Sequence, residues 1–315
     1  MADLQNPIFQ NEEAARAALE AVIWPNGPVC PHCGSVERIA RVEGKKHRPG
    51  LYYCNECKGT FTVTVGTAFE RSKIPLSKWW LASHLMGSSK KGVSAHQLHR
   101  SLGVTYKTAW FMAHRLREAM RVDNAGPIGG QNKVVEADET YMGGKDKNKH
   151  ANKRLRGRWM HERPTVVSLV ERGGQVRSSH VADVGSTTLG KVLHKNIDSR
   201  TYLMTDELAA YKSIGKKFVG HDTVEHTAGQ YVKRGGFTHT NTVENFFSIM
   251  KRGVYGTYHH ISQQHLMRYL AEFDFRFNNR SALGVSDAER TQRLVKGISG
   301  KRLTYRRTNE ERASL

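Results

Sequence analysis

No run of about eighteen apolar residues occurs anywhere in the 315-residue chain, which excludes a membrane-spanning helix. The N-terminus (MADLQNPIFQNEEAARAALE) lacks the basic and then apolar segments of a signal peptide, so the expected location is the cytoplasm. Acid is scarce: 29 Asp and Glu stand against 49 Lys and Arg, giving a net charge of 49 − 29 = +20. A chain this basic repels itself unless it works against a polyanion, and a nucleic acid is the usual one, so association with the nucleoid is expected. Cysteine is rare as well. Four residues in a reducing compartment argue against disulfides and for metal ligation.

What is present falls into blocks. Residues 1–70 hold all the cysteines behind an N-terminal helix and end in a β-like run, Gly59 to Thr67. Residues 71–122 read as helical, and 123–132, rich in glycine, as a linker. From Lys133 to about Arg280, β-branched strands alternate with helices. Residues 281–315 read as a basic polar tail, with eight Lys/Arg and four Asp/Glu and no motif.

Cys30-Pro-His-Cys33 and Cys54-Asn-Glu-Cys57 are two CxxC turns. Each brings two sulfurs to one point, and two such turns complete a tetrahedral thiolate site for Zn²⁺. Arg38 to Val42 and Leu51 to Tyr53 read as the strands of a ribbon, with Gly34 and Gly59 easing the backbone after each turn. Four buried thiols without metal are the alternative, but the pairing uses every cysteine in the chain. His32 lies inside a turn and is read as solvated. A closed four-sulfur site is structural, not catalytic.

Ser94 to Leu102 reads as a short helix capped by Ser94, Gly103 as a turn, and Thr105 as the cap of a second helix. This is a helix-turn-helix-like pattern, with Leu98, Leu102, Val104, Ala109, Trp110 and Ala113 as the buried seam. Tyr106, Lys107 and Arg115 face outward as candidate DNA contacts. The plainer alternative is an ordinary helical hairpin.

In the C-terminal half, Lys133-Val-Val-Glu-Ala-Asp-Glu-Thr-Tyr141 alternates as a strand, with Glu136 and Asp138 on one face. Glu139, beside Asp138, points the other way in such a strand. From Lys145 to Arg158 there are seven Lys/Arg and one acid, a basic arm for phosphates in which Lys145, Lys153, Arg154 and Arg156 are candidate contacts. Pro164–Val170 and Gln175–Val181 read as a hairpin, Thr187–Ile197 as a helix, and Thr201–Thr205 as a strand delivering Asp206 at its end. A short helix about Tyr211, a strand at Thr223–Glu225 and a final helix from Asn241 to Arg252 complete the order. That order is expected of a ribonuclease-H-like α/β domain. Two-metal phosphoryl transfer needs carboxylates that hold two Mg²⁺ roughly 3.5–4 Å apart. Asp138, Asp206 and Glu244 are the candidate set, with Lys251 and Arg252 for DNA. Glu136 rivals Asp138, Glu207 adjoins Asp206, and each acid alone has a plainer reading as a turn former or a solvated helix residue.

The strings Glu136-Ala-Asp-Glu-Thr-Tyr-Met-Gly-Gly-Lys145, Met204-Thr-Asp206 and Asn241-Thr-Val-Glu-Asn-Phe-Phe-Ser-Ile-Met-Lys251 resemble bacterial insertion-sequence transposases. So do Arg252 to Ser262 and His265 to Arg280. The similar branch carries a zinc ribbon ahead of a DDE-type catalytic domain (insertion-sequence family fifteen ninety-five). The resemblance spans about residues 15–285. It implies cleavage at the element's ends and strand transfer with Mg²⁺, Asp138, Asp206 and Glu244 being catalytic, and a homo-oligomer on DNA. The third position of this branch is sometimes Asn, so Asn241 and Asn245 rival Glu244, which is preferred for its charge and for Lys251 seven residues on. Two other function classes stay open: a DNA-binding regulator with a catalytically dead domain, and a structure-specific nuclease of the same fold.

Overall fold

The computed structural model describes residues 4–123, 125–143, 163–225 and 232–304. The chain is mixed α/β and forms two compact units. The first holds residues 1–89, 93–122 and 284–315; the second holds 90–92 and 123–283.

The first unit begins with helix α1, Glu12–Ile23, whose Asn11 side chain accepts the amides of Glu13 and Ala14. Three antiparallel strands follow: β1 (Ile39–Val42), β2 (Leu51–Cys54) and β3 (Thr60–Phe61). The run expected to stay β-like to Thr67 stops after two residues, because Val65 and Thr67 bond back to Thr62 and Thr64 as turns. This small sheet has little apolar area of its own. Tyr52 and Phe61 stack while Trp24 meets both edge-on, with centroids 5.3–5.8 Å apart, beside the buried Cys30 and Cys54.

Helices α2 (Leu76–Ser88), α3 (Ala95–Leu102) and α4 (Tyr106–Met120) follow. Ser94 and Thr105 cap α3 and α4 as the sequence implies, and Gly103 takes the left-handed turn between them at φ 59°. Leu98, Leu102, Ala109, Met112, Ala113 and Leu116 are buried, whereas Trp110 is half-buried. Within the stretch read as a basic polar tail, the described residues 282–304 include a helix. Asp287–Lys296 forms helix α9, packed on α2, where the Arg290 guanidinium reaches the carbonyl of Gly87 and Thr291 meets His84 at 3.1 Å. Its apolar residues Leu294 and Val295, and Ile298 just beyond it, are fully buried, a signal that the many charges around them obscured.

The second unit is a five-stranded sheet in the order β6-β5-β4-β7-β8. Its strands are β4 (Val134–Tyr141), β5 (Thr165–Glu171), β6 (Val176–Val181), β7 (Tyr202–Thr205) and β8 (Gly220–Thr223). The first three are antiparallel neighbours, and β4, β7 and β8 run parallel. The last strand lies three residues earlier than expected, its ladder with β7 closing where the Val224 amide donates to the Thr205 carbonyl. Alternation in β4 and β5 splits the core. Val135, Ala137, Val167 and Leu169 face α5 (Ser186–Asn196) and α6 (Ala209–Gly215). Val166 and Val170 face α7 (Asn241–Gly253) and α8 (Leu266–Asn278). The stretch read as a linker is tied to this unit: Ile128 bridges Ile197, and Gly130 donates to Thr201.

α7 is not the final helix of the unit. α8 follows and closes the free edge of β6, the amide of Val176 donating to Asn278 at 2.6 Å and that of Ser178 to Asp274 at 2.7 Å. Polar side chains four residues apart on one helix face thus satisfy every second amide of an edge strand, which blunts it against further pairing. Burial lifts the Asp274 carboxyl to about 7, opposed by the Ser178 hydrogen bonds.

Candidate metal centres and nucleic-acid groove

The first centre is the cysteine cluster. Cys30, Cys33, Cys54 and Cys57 bring their sulfurs within 4.8 Å of one another, Cys30 facing Cys57 and Cys33 facing Cys54 at 3.6 Å. Amide bonds shape both turns: Gly34 donates to Cys30 and Cys54 to Gly59. Gly34 takes a positive φ of 78°, but after the second turn it is Lys58, not Gly59, that is left-handed, at 56°. The Cys57 amide helps lower the Cys54 thiol to about 7. The Ser35 amide pulls on Cys33 too, yet burial and the other three thiols push it up to about 12. Four thiols so crowded suit a thiolate-binding cation, and His32 stands exposed outside the cluster.

The second centre is built by strand register. Val134, Val135 and Glu136 lie opposite Tyr202, Leu203 and Met204 in parallel, an offset of 68, so Asp138 falls level with Asp206 (138 + 68 = 206). β7 ends at Thr205, leaving β4 without a neighbour on that side from Asp138 onward. Odd-numbered residues of β4 point their backbone groups to this side, as Lys133 does in accepting from Tyr202. The amide of Glu139 there donates to Asp138 Oδ1 at 2.7 Å. Around this open edge the carboxylates of neighbouring residues on opposite faces meet: Asp138, Glu139 and Asp206 offer oxygens within 4.8 Å of one another. Glu139, expected to point away, therefore joins the cluster, and the buried Tyr211 hydroxyl donates to its Oε2 at 2.8 Å. Asp206 accepts the amide of Leu208 in the turn into α6.

Burial, then the negative charges of Glu139, Asp206 and Glu244, raise the Asp138 carboxyl to about 7. Burial and Asp206 raise Glu139 as well. Acids whose charged forms are disfavoured by proximity and desolvation form a site a divalent cation can relieve.

Glu244 stands outside this tight cluster, exposed, accepting the Thr240 hydroxyl at 2.9 Å. It lines the same groove of about 430 Å³ as Asp138, Glu139, Phe247, Lys251, Arg252 and Tyr255. The buried Phe247 forms part of that lining, with the Lys251 ammonium 6.0 Å from its ring. Tyr255, half exposed, donates to the Gly143 carbonyl at 3.2 Å from a π-helical turn that ends α7. Sequence reading passed over Glu139, Tyr211 and Tyr255. The adjacent Asp-Glu pair was the visible signal for the first, but the early end of β7 was not.

Glu136, the rival of Asp138, is fully buried and holds Arg172 at 2.6 Å and the first amides of α7. It caps that helix, whose first residue, Asn241, is exposed. Asn245 is exposed too. In the first unit Tyr106 and Lys107 are exposed at the start of α4, Tyr106 against His96 with centroids 4.4 Å apart. Arg115 does not face outward as expected: its guanidinium bonds the carbonyls of Glu70 and Leu303 and lies over Phe111. Lys145, Lys153, Arg154 and Arg156 lie outside the described residues.

A cysteine-knuckle ribbon and an α/β unit with carboxylates at adjacent strand ends define a class, and comparison with known proteins agrees. Residues 129–278 match the model of the ISXO2-like transposase domain, and residues 10–60 that of the transposase zinc-ribbon domain. The protein named "Uncharacterized protein in transposable element ISH50", from Halobacterium salinarum, is 28% identical over 284 residues, covering 85% of this chain and 91% of its own. The class is the DDE-type transposases of insertion sequences. Within it, the chain carries a match to the transposase zinc ribbon ahead of its match to the ISXO2-like transposase domain. These domains imply DNA binding, and no helix of the described residues is long and apolar enough to cross a membrane.

Proposed function

We propose that this transposase cuts DNA at the ends of its insertion sequence and transfers the freed strands into target DNA, using divalent cations held by Asp138, Asp206 and Glu244. The observation that carries the reading is that Asp138 on β4 and Asp206 just past the end of the parallel neighbour β7 come together, at a groove where Asp138 is joined by Glu244 and Lys251. The strand order β6-β5-β4-β7-β8, with the first strand of the unit central, supports a ribonuclease-H-like domain. The donors are all carboxylate oxygens, which suits a hard cation such as Mg²⁺ and fits two of them. The cysteines suit one structural Zn²⁺.

Held by these carboxylates, Mg²⁺ would supply the Lewis acidity that lowers the pKa of an attacking water or 3′-hydroxyl and offsets charge on the leaving oxygen. The chain's own groups set the geometry. Asp138 and Asp206 hold their oxygens together at the strand ends, Glu244 closes the groove from α7, and Lys251 and Arg252 offer cations to the flanking phosphates. Tyr106 and Lys107 are the contacts of the helix-turn-helix-like block, and the basic arm adds phosphate neutralisation without base selectivity. The protein acts as a homo-oligomer on DNA, at the nucleoid.

The test uses full-length protein, Mg²⁺ and DNA carrying the element's own ends. Wild type is expected to nick and join; Asp138→Asn loses about a thousandfold or more in rate while keeping end binding. No nicking by the wild type points to a regulator instead. Cleavage of branched DNA without any joining points to a structure-specific nuclease.

A further inference from the structure

Two acids, Asp138 and Glu139, follow one another in the second half of β4, and only the first has a role in the reading above. Glu139 lies on the α6 side of the sheet, where a glutamate with no task would extend to solvent. Instead its Oε2 accepts from Tyr211, a side chain with no exposed surface, at 2.8 Å. Tyr211 sits two residues beyond the start of α6, directly after the turn that carries Asp206. The same short segment therefore supplies one acid of the cluster and the hydroxyl that steers another. Glu139, Asp138 and Asp206 share one 4.8 Å neighbourhood, whereas Glu244 is exposed on the helix and bonded to Thr240.

We infer that Glu139 is a metal ligand of this site, its carboxylate fixed by the Tyr211 hydroxyl so that, in the absence of DNA, Asp138, Glu139 and Asp206 bind the first cation without Glu244. This rests on the metal-dependent reading above. Tyr211 is a positioning residue: a bonded partner behind a ligand commonly changes metal affinity about 10–100-fold. The arrangement gives the two glutamates different duties, one loading metal on the free protein and the other acting from α7 once DNA lies in the groove.

The experiment titrates zinc-loaded, DNA-free full-length protein with Mn²⁺, reading free Mn²⁺ by electron paramagnetic resonance and the Mn²⁺-induced rise in melting temperature. Asp138→Asn and Asp206→Asn are expected to lose binding. Glu139→Gln, whose amide oxygen still accepts from Tyr211, weakens it at least tenfold; Tyr211→Phe weakens it about tenfold; Glu244→Gln stays within about threefold. Melting in chelator checks each fold. If Glu139→Gln fails to fold, Tyr211→Phe, which keeps the carboxylate, decides. Wild-type Mn²⁺ affinity in whichever variant folds, with only the melting temperature lowered, overturns the inference and makes the pair structural. Wild-type protein that binds no Mn²⁺ with or without DNA overturns the metal-dependent reading itself.

Discussion

The carboxylate of Glu136 accepts both the amide and the hydroxyl of Thr242, at 2.7 and 2.8 Å, and so fastens the first turn of α7 to the central strand. The amide of Val243 joins them at 2.9 Å, and Arg172 balances the charge at 2.6 Å while its other nitrogens bond the carbonyls of Phe237 and His239. A helix that carries Glu244 and Lys251 is thereby indexed to the strand that carries Asp138, two residues from the fastening point. An anion at a helix N-terminus also meets the positive end of its dipole.

Removing that anchor tests whether it is structural. Glu136→Ala leaves the Arg172 guanidinium without its carboxylate and the first α7 amides without their acceptor, and should destabilise the second unit by about 3–5 kcal/mol. Urea unfolding, followed in the second unit, measures it. Asp138→Asn should show no such loss. If Glu136→Gln instead keeps full stability and abolishes cleavage, Glu136 is catalytic and the strand register is misread.

The ribbon should depend on zinc locally. Metal analysis of the purified chain should find about one Zn²⁺ per chain, and Cys54→Ser or a strong chelator should unfold the ribbon while leaving the second unit's transition in place. A sample that is folded and zinc-free would remove the thiolate site. Because the Cys33 thiol sits at about 12 without metal, zinc binding should release protons at neutral pH, which calorimetry in two buffers detects.

Asp138 gives the metal-free protein a pH signature. Its folded carboxyl is raised to about 7 from the ordinary 3.8, so the folded state binds the proton more tightly than the unfolded one. Stability from this group is therefore full below the unfolded value and is lost as pH rises from about 4 toward 7. Above that, the penalty is on the order of 4 kcal/mol at most. In chelator, Asp138→Asn should raise the second unit's melting temperature at pH 8 and leave it unchanged at pH 4. Mn²⁺ should cancel the difference by stabilising the wild type. Equal melting curves at pH 8 in chelator would show that Asp138 is not strained by its neighbours.

The third carboxylate is decided by comparing Glu244→Gln, Asn241→Ala and Asn245→Ala for strand transfer in Mg²⁺ and in Mn²⁺. Glu244 lines the groove with Lys251, and neither asparagine is among the groove's lining residues. Glu244→Gln should be the severest loss, by about a hundredfold or more, consistent with the removal of a charged ligand. Near-full activity in Glu244→Gln beside a dead asparagine variant would assign an amide ligand instead.

The sequence by itself determined whatever depends on spacing along the chain. Two CxxC turns bring four sulfurs together because each turn is local and a short hairpin joins them. The caps Ser94 and Thr105 with Gly103 between them define α3 and α4 by local hydrogen bonding. Alternation in β4, and the apolar run ending at Asp206, were legible for the same reason. Tertiary structure decided what depends on register and on where partners stop. Glu136 and Asp138 share a face and cannot be ranked by period two; the arrival of α7 at Glu136 separates them. Glu139 points away from Asp138 by alternation, and meets it only because β7 ends one strand level too early to fill the edge. Arg115 was drawn inward by the carbonyls of Glu70 and of Leu303, the latter 188 residues away in sequence, and the charged segment around α9 folded onto α2 through a few apolar residues. A carboxylate or guanidinium takes its role from the unsatisfied groups it meets, and those come from segments far off in the chain.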